Sequence, residues 1–370
     1  MLALPALLAL LVACGARSSS DPASGVHGAP ADLDSRHATA AEVDEVDDAM
    51  GRQADPSEIA PDSAASAVGT AESCLSWAAP VEKGPLGALD LSEASGLVAS
   101  RRLPGVLWSH NDSGEEVGRV FALGSDGAHR ATVSLSSLQP DDVEDIALGP
   151  CAPPAATSDC LYLADTGDNG HKRKTVEIFQ VREPDALPAA GGVIEGVGVQ
   201  VHRLRYPKHP GLQGAAEALA EHPDVEAMVV LADGRVVLFD KRDDGTSAVY
   251  RAPLTGDTVA IAEALGTLDL RDGALKQGPS LRTTAADLSG DGRRLLIRTY
   301  FRVFEFDVDG VLAAPALEVS AALPALSAAK RSVAHGFDTQ GEAIAYDPAG
   351  GFWHVSEGVG SSLFFVGCVP

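Results

Sequence analysis

Five stretches of this 370-residue chain repeat one layout, and that repetition limits the fold more than any other feature. Each opens with a short apolar run, turns, and returns as a second apolar run that ends in polar residues. The units begin EASGLV at Glu93, EDIALGP at Glu144, EAMVVL at Glu226, TAADLS at Thr284 and EAIAYD at Glu342, so four of the five open on glutamate. Short runs rich in Val, Leu, Ile and aromatic residues, separated by Asp-Gly, Gly-Gly and Pro signals, read as antiparallel strands and turns. A third strand follows in each unit (RVFAL, VEIFQV, SAVYRAPL, RVFEFDV, SLFFVG). A fourth fits the gap after it in four units: ATVSLSSL, VGVQVHRLRYP, LGTLDL and ALEVSAAL. Repeated four-stranded units predict an all-β chain, a β-propeller whose blades stand around a central channel. Five blades are expected. The 82-residue interval between Glu144 and Glu226 leaves room for a sixth, degenerate blade, and its Ala-rich stretch Gln213 to Glu221 reads as a short helix.

The fifth unit has no strand of its own after SLFFVG. The segment Val81 to Leu91 is predicted to supply it, closing the ring with an N-terminal outer strand and removing an exposed edge. Four cysteines fall in this region and allow three connectivities. Cys151 and Cys160 flank the short loop CAPPAATSDC and are expected to pair across a hairpin. Cys74 and Cys368 stand at the two ends of the domain and are expected to join them.

In such a ring the first strand of each blade lines the channel. Glu93, Glu144, Glu226 and Glu342 are therefore expected to face the axis, with Thr284 in the fifth place. Converging carboxylates repel unless protonated, hydrogen-bonded or bound to a cation. Either they accept backbone N–H bonds from the neighbouring blade, or they hold a hard cation, of which calcium is the best match to oxygen ligands. The second strands end in His110-Asn111-Asp112, Asp165-Thr166-Gly167-Asp168-Asn169, Asp240-Lys241-Arg242, Arg298-Thr299-Tyr300 and Ser356-Glu357. These ends fall at one height. Turns use such residues routinely, but unlike polar groups around one mouth are also what a binding site needs. Candidate metal ligands are Glu93, Asn111, Asp112, Asp168 and Asn169. Candidate ligand-binding residues are Asp165, Lys241, Arg298, Tyr300 and Glu357, with Lys241 and Arg298 suited to an anion. His110 and Glu144 are the candidate bases. Zinc spacing, a P-loop, a dinucleotide fingerprint and a G-x-S-x-G elbow are all missing from the sequence.

A formal net charge of −24 argues against nucleic acid and against a basic patch on anionic lipid, and favours cations. Residues 15–73 are Ala-, Ser-, Asp- and Glu-rich, with a run of like charge from Glu42 to Asp48, and read as a disordered acidic tether. Before them, MLALPALLALLVACG has an apolar run too short to span a membrane. Leu11-Val12-Ala13-Cys14 resembles the lipobox of bacterial lipoproteins, although no Lys or Arg precedes the run. The resemblance implies a signal peptide over residues 1–14 and lipidation of Cys14, which anchors stably when two or three acyl chains are attached. Gly15 in place of the Asp linked to inner-membrane retention points to the outer membrane. Export also permits disulfides. Membrane contact is expected through the lipid alone, with 74–370 as a monomeric propeller domain in the cell envelope.

The units SEASGL, LWSHNDSG, DVEDIALGP, LYLADTGDN and EAIAYD resemble those of exported bacterial propeller proteins of uncharacterised activity. These are similar in layout to gluconolactonase-like and phytase-like propellers, over roughly Leu91 to Phe365. The gluconolactonase-like layout implies an axial divalent cation held by a Glu near the first inner strand and by Asn and Asp from other blades. Glu93, Asn111, Asp168 and Asn169 are the matching positions. The lysine-rich cleft of the phytase-like group is missing. Two functions follow as expectations. One is a binding module for a small molecule or an envelope protein. The other is a metal-dependent hydrolase of an ester, lactone or phosphoester, in which the cation activates water and His110 or Glu144 acts as base.

Overall fold

A computed structural model describes residues 74, 76–114, 116–151, 158–189, 191–208, 221–336 and 339–369. The signal segment with Cys14, the tether 15–73 and residues 213–220 of the expected short helix lie outside these residues.

The described chain starts with β1 (Ser76–Trp77) and β2 (Val81–Pro85). Blade 1 follows as β3 (Ala94–Ala99), β4 (Val106–Asn111), β5 (Arg119–Gly124) and β6 (His129–Ser134). Blade 2 opens with β7 (Val143–Pro150), β8 (Asp159–Asp165) and β9 (Val176–Arg182). The chain then returns to lay β10 (Gly192–Ile194) parallel to β6 before β11 (Val199–Arg205) completes blade 2. Blade 3 is β12 (Val225–Val230), β13 (Val236–Asp240), β14 (Thr246–Ala252) and β16 (Glu263–Asp269), with β15 (Ala260–Ile261) added parallel to β11. Blade 4 is β17 (Thr283–Leu288), β18 (Arg294–Thr299), β19 (Arg302–Asp307) and β20 (Arg331–Val333). Blade 5 is β21 (Gly341–Tyr346), β22 (Phe352–Ser356) and β23 (Ser362–Val366), and its fourth strand is β2. Finally β24 (Cys368–Val369) pairs with β1. The inner strands β3, β7, β12, β17 and β21 pack on one another in a closed cycle.

The core is divided among the five blade interfaces. One cluster joins blades 1 and 2 around Trp108, Leu161 and Phe179, and another joins blades 3 and 4 around Phe239, Ile297 and Phe304. Equivalent clusters sit between blades 2 and 3, 4 and 5, and 5 and 1. Period-2 alternation explains this arrangement, because successive residues of one strand serve opposite interfaces. Leu97 packs toward blade 5 and Val98 toward blade 2. Strands buried on both faces read as continuous apolar runs, which is why the repeat was visible in the sequence.

Five blades, closure by the Val81 segment and both cysteine pairs agree with expectation. Among the described residues no sixth sheet occupies the long interval, which β9, β10 and β11 use instead. One strand assignment is corrected. ALEVSAAL is not the outer strand of blade 4 but the start of helix α1 (Ala316–Ala329), and β20 takes the edge. Alanine and leucine favour helix, and Val319, Leu323 and Ser327 are buried at the four-residue spacing of a helix face. A strand would have turned Leu317 to the same side as Val319, whereas Leu317 is 85% exposed. The helix lies over β16 and covers the outer edge of blade 3. Two disulfides fit an oxidising, extracytoplasmic compartment. Among the described residues no helix is long and apolar enough to cross a membrane.

Candidate functional site at the channel mouth

Each inner strand carries a register shift at the same level. One residue is left out of the ladder with the second strand: Ser95, Glu144, Glu226, Thr284 and Glu342. A bulge re-aims the extra side chain, so these five define one tier around the axis. Two residues earlier, nearer the mouth, stand Glu93, Asp142, Asp224, Arg282 and Gln340. In four blades the carbonyl of this outer residue accepts the N–H of the residue just past the second strand or its turn: Asp112, Gly167, Lys241 and Glu357. In these four blades the second-strand ends therefore share one height. The ladder also moves Glu93: its register equivalent among the glutamates is Ser95, and Glu93 belongs with Asp142 and Asp224 in the outer tier. The two hydroxyls of the inner tier lock adjacent blades, Ser95 donating to the Glu144 carbonyl and Thr284 to the Gly341 carbonyl, each at 2.8 Å.

The carboxylates gather between blades 2 and 3. Oxygens of Glu144, Asp224 and Glu226 all lie within 4.8 Å of one another, and all three residues are buried. Lys241, from the end of β13, pairs with Glu226 and lies 3.7 Å from Asp224 Oδ2. Asp142 joins the group: a Cβ added to Gly167 would fall 2.2 Å from Glu144 Oε1 and 2.4 Å from Asp142 Oδ2. Burial, then the charge of Glu226, pushes the Glu144 carboxyl well above the usual range. Burial also raises Glu226 strongly, with Lys241 pulling it back, and raises Asp142, with Asp224 adding to the effect. Burial opposes the charge on Lys241, but Glu226 and Asp224 outweigh it and hold its pKa up. Across the ring burial pushes Glu342 to about 7, although Gln340 donates to it at 2.8 Å. Four carboxyl groups thus face the Lys241 ammonium, with the Arg173 guanidinium acting on Asp142 as well, and the surplus acidity can accept protons or a cation.

A second acidic group stands at blades 1 and 5. Asp112 is raised to about 7 by burial and by Glu93, and Glu357 is raised by the same two causes. Ser113 donates to Glu93 Oε2 at 3.2 Å. The remaining expected site residues are distributed as follows. Asn111 accepts the Glu93 N–H at 2.9 Å and donates to the Asp90 carbonyl at 2.8 Å. Both Asp168 oxygens accept backbone N–H groups of Lys172 or Arg173, and Asn169 is exposed. Asp165 accepts the Asp142 N–H and the Arg173 guanidinium, each at 2.9 Å. Arg298 is buried against Gly341, where an added Cβ would fall 2.0 Å from its Nη2. Tyr300 is half-buried, its hydroxyl pushed up to about 12 by burial and Glu342. His110 is buried below the mouth with Nδ1 facing the Asn111 carbonyl at 3.0 Å, and burial lowers its pKa to about 4, so it is neutral. Thus Asn111 and Asp168, two of the positions matching the implied cation, spend their oxygens on loop backbone. The carboxylates that converge are Glu144, Asp224 and Glu226. Asp142 and Asp224 went unread in the sequence, although Asp-Val-Glu recurs at 142–144 and 224–226 and places both acids on one strand face.

Glycine at 96 is a strict requirement of this ring. A Cβ there would meet the Ile146 backbone N and His110 Nε2 at 2.6 Å. Gly96→Ala is expected to cost about 3 kcal/mol or more, because the clash is partly with backbone that cannot turn away. Urea unfolding of the variant checks this, and a loss under about 1 kcal/mol would contradict the packing described.

No protein-family model matches the chain, and no curated protein matches its sequence. Among solved structures it is similar to the PQQ-bound aldose sugar dehydrogenase of Streptomyces coelicolor, at 10% identity and a TM-score of 0.40, covering 78% of this chain and 98% of that chain. A glucose dehydrogenase matches at 12% identity and a TM-score of 0.42, covering 79% and 99%. A streptogramin B lyase matches at 10% and 0.39, covering 79% and 98%. Likeness at this level carries no argument about activity, and the function has to be argued from the mouth itself.

Proposed function

We propose that this protein is a lipid-anchored, extracytoplasmic binding module whose acidic channel mouth takes up a cation, calcium being the best match. One observation carries the reading: buried oxygens of Glu144, Asp224 and Glu226 lie within 4.8 Å of one another beside a single ammonium. Buried like charges at that separation need a counter-charge beyond one lysine. The donors are all oxygens, with Asp142 as a fourth, and such sets suit hard cations. The lipobox-like Cys14 supports anchoring by lipid, and the tether would let the mouth face a small molecule or an envelope protein.

The test is thermal unfolding against added calcium. Ligand at one hundred times its Kd stabilises by about 2.7 kcal/mol, which in a domain of this size raises Tm by roughly 5–10 °C. Asp224→Asn and Glu226→Gln should fold and lose the shift. Melting curves unmoved by millimolar Ca2+, Mg2+ or Mn2+ would overturn the reading.

A metal-dependent hydrolase of an ester, lactone or phosphoester is a second reading with its own support. Burial and the charge of Glu226 raise the Glu144 carboxyl, the direction a general acid requires. Calcium-dependent turnover of an ester and phosphoester panel, abolished in Glu144→Gln, would select it.

A further inference from the structure

We infer that the centre of the channel is a carboxyl-binding site built from backbone N–H groups of three blades, and that the chain fills it with its own Asp145. The inference stands apart from the cation reading, which concerns the mouth. One residue past the bulges, the inner strands present Gly96, Asp145, Ala227, Ala285 and Ala343. Four of these are small, and the single carboxyl among them is fully buried. Its Oδ2 accepts the Met228 N–H of blade 3 at 2.9 Å and the Ala286 N–H of blade 4 at 3.2 Å. Its Oδ1 accepts the Ile146 N–H of blade 2 at 2.9 Å. Blade 1 contributes by absence, since a Cβ on Gly96 would stand 3.0 Å from Oδ1.

Deeper in the channel, Asp287 repeats the device between blades 4 and 5. Its Oδ1 accepts the Leu288 N–H at 2.8 Å and its Oδ2 the Tyr346 N–H at 2.7 Å. The axis is therefore lined by donors that point inward and is closed by side-chain carboxyls. Donors in that orientation repel a cation and attract an oxygen acceptor. Axis and mouth thus have opposite preferences. The axis takes a carboxyl, whereas the mouth gathers carboxyl groups of its own.

Asp145→Ala tests this directly, because alanine keeps the Cβ and vacates the volume of one carboxyl group. Three buried N–H groups lose their acceptor, so Tm should fall by about 10–20 °C. Formate supplies the missing group and should recover at least about half of that loss, whereas chloride and calcium at equal concentration should not. If the variant folds poorly, its refolding yield in formate against chloride gives the same comparison. In the wild type, the Met228 and Ala286 amides should exchange hydrogen only through global unfolding. A variant as stable as the wild type, a loss that formate does not reverse more than chloride, or axial amides that exchange as fast as loop amides would each overturn the inference.

Discussion

Replacing Cys74 and Cys368 by serine is expected to lower the stability of the domain by about 5 kcal/mol, while the same change at Cys151 and Cys160 lowers it by about 2–3 kcal/mol. The two bridges span 294 and 9 residues, and cross-linking removes more freedom from the unfolded chain when the closed loop is longer. The long bridge also guards a weak seam. The ring closes where β2 joins β23, yet β2 is largely exposed, with Val81 at 51%, and contributes little apolar burial of its own. Beside it, the two-residue pairing of β1 with β24 holds Trp77 edge-on to Phe352 at 5.0 Å. Without the bridge, β2 should peel before the rest of the ring. Urea unfolding of both double variants tests this, and the Cys74/Cys368 variant should show a separate early transition. Equal losses for the two variants, or a single unchanged transition, would remove the seam from the account.

The second large effect is expected at Lys241. Methionine there keeps the length of the side chain and removes the one ammonium among Glu144, Asp224 and Glu226. Breaking a buried ion pair on one side costs about 3–5 kcal/mol, because the other charge stays uncompensated. That cost should depend on pH in a definite direction. The carboxyls of Glu144, Glu226 and Glu342 have pKa values above those of the unfolded chain, with Glu342 at about 7. Such groups bind protons more tightly when folded. Their contribution to stability is fully present below the unfolded value, near pH 4, and is lost as pH rises through the folded value. Wild-type stability should therefore fall between pH 5 and pH 8. Lys241→Met should steepen that fall, with the full loss at pH 8 and less than about half of it at pH 5, where Glu226 takes up a proton instead. Lysine titrates well above this window and adds no slope of its own. Millimolar calcium at pH 8 should recover part of the loss if the mouth accepts cations. A loss equal at both pH values would show that the carboxylates do not depend on Lys241 for their counter-charge.

The parts of this protein that could be read in advance are those set by neighbours in the chain. Short apolar runs and Asp-Gly, Gly-Gly and Pro turn signals mark the inner three strands of every blade, and the missing last strand points to β2. The errors came where local pattern is degenerate. An Ala- and Leu-rich segment suits either state, and α1 formed because the edge of β16 offered its buried face a partner. A bulge shifts register by one residue without changing composition, so Glu93 looked like the counterpart of Glu144 when Ser95 holds that place.

The stretch Asp141-Asp142-Val143-Glu144-Asp145 shows the division most plainly. As sequence it is four acids and a valine, and it forecasts an acidic strand start facing a shared centre. Only the closed ring assigns them different tasks: Asp141 to solvent, Asp142 and Glu144 to the mouth, Asp145 to the axis. Two of the three donors that hold Asp145 come from residues 83 and 141 positions along the chain, and such partners exist only once the blades have met. Strand order, turns and seam follow from short-range sterics and hydrophobic alternation, which the sequence determines by itself. The environment of each carboxyl, and hence its proton, its partner and its chemistry, depends on burial and on charges brought from distant blades, which the tertiary structure alone decides.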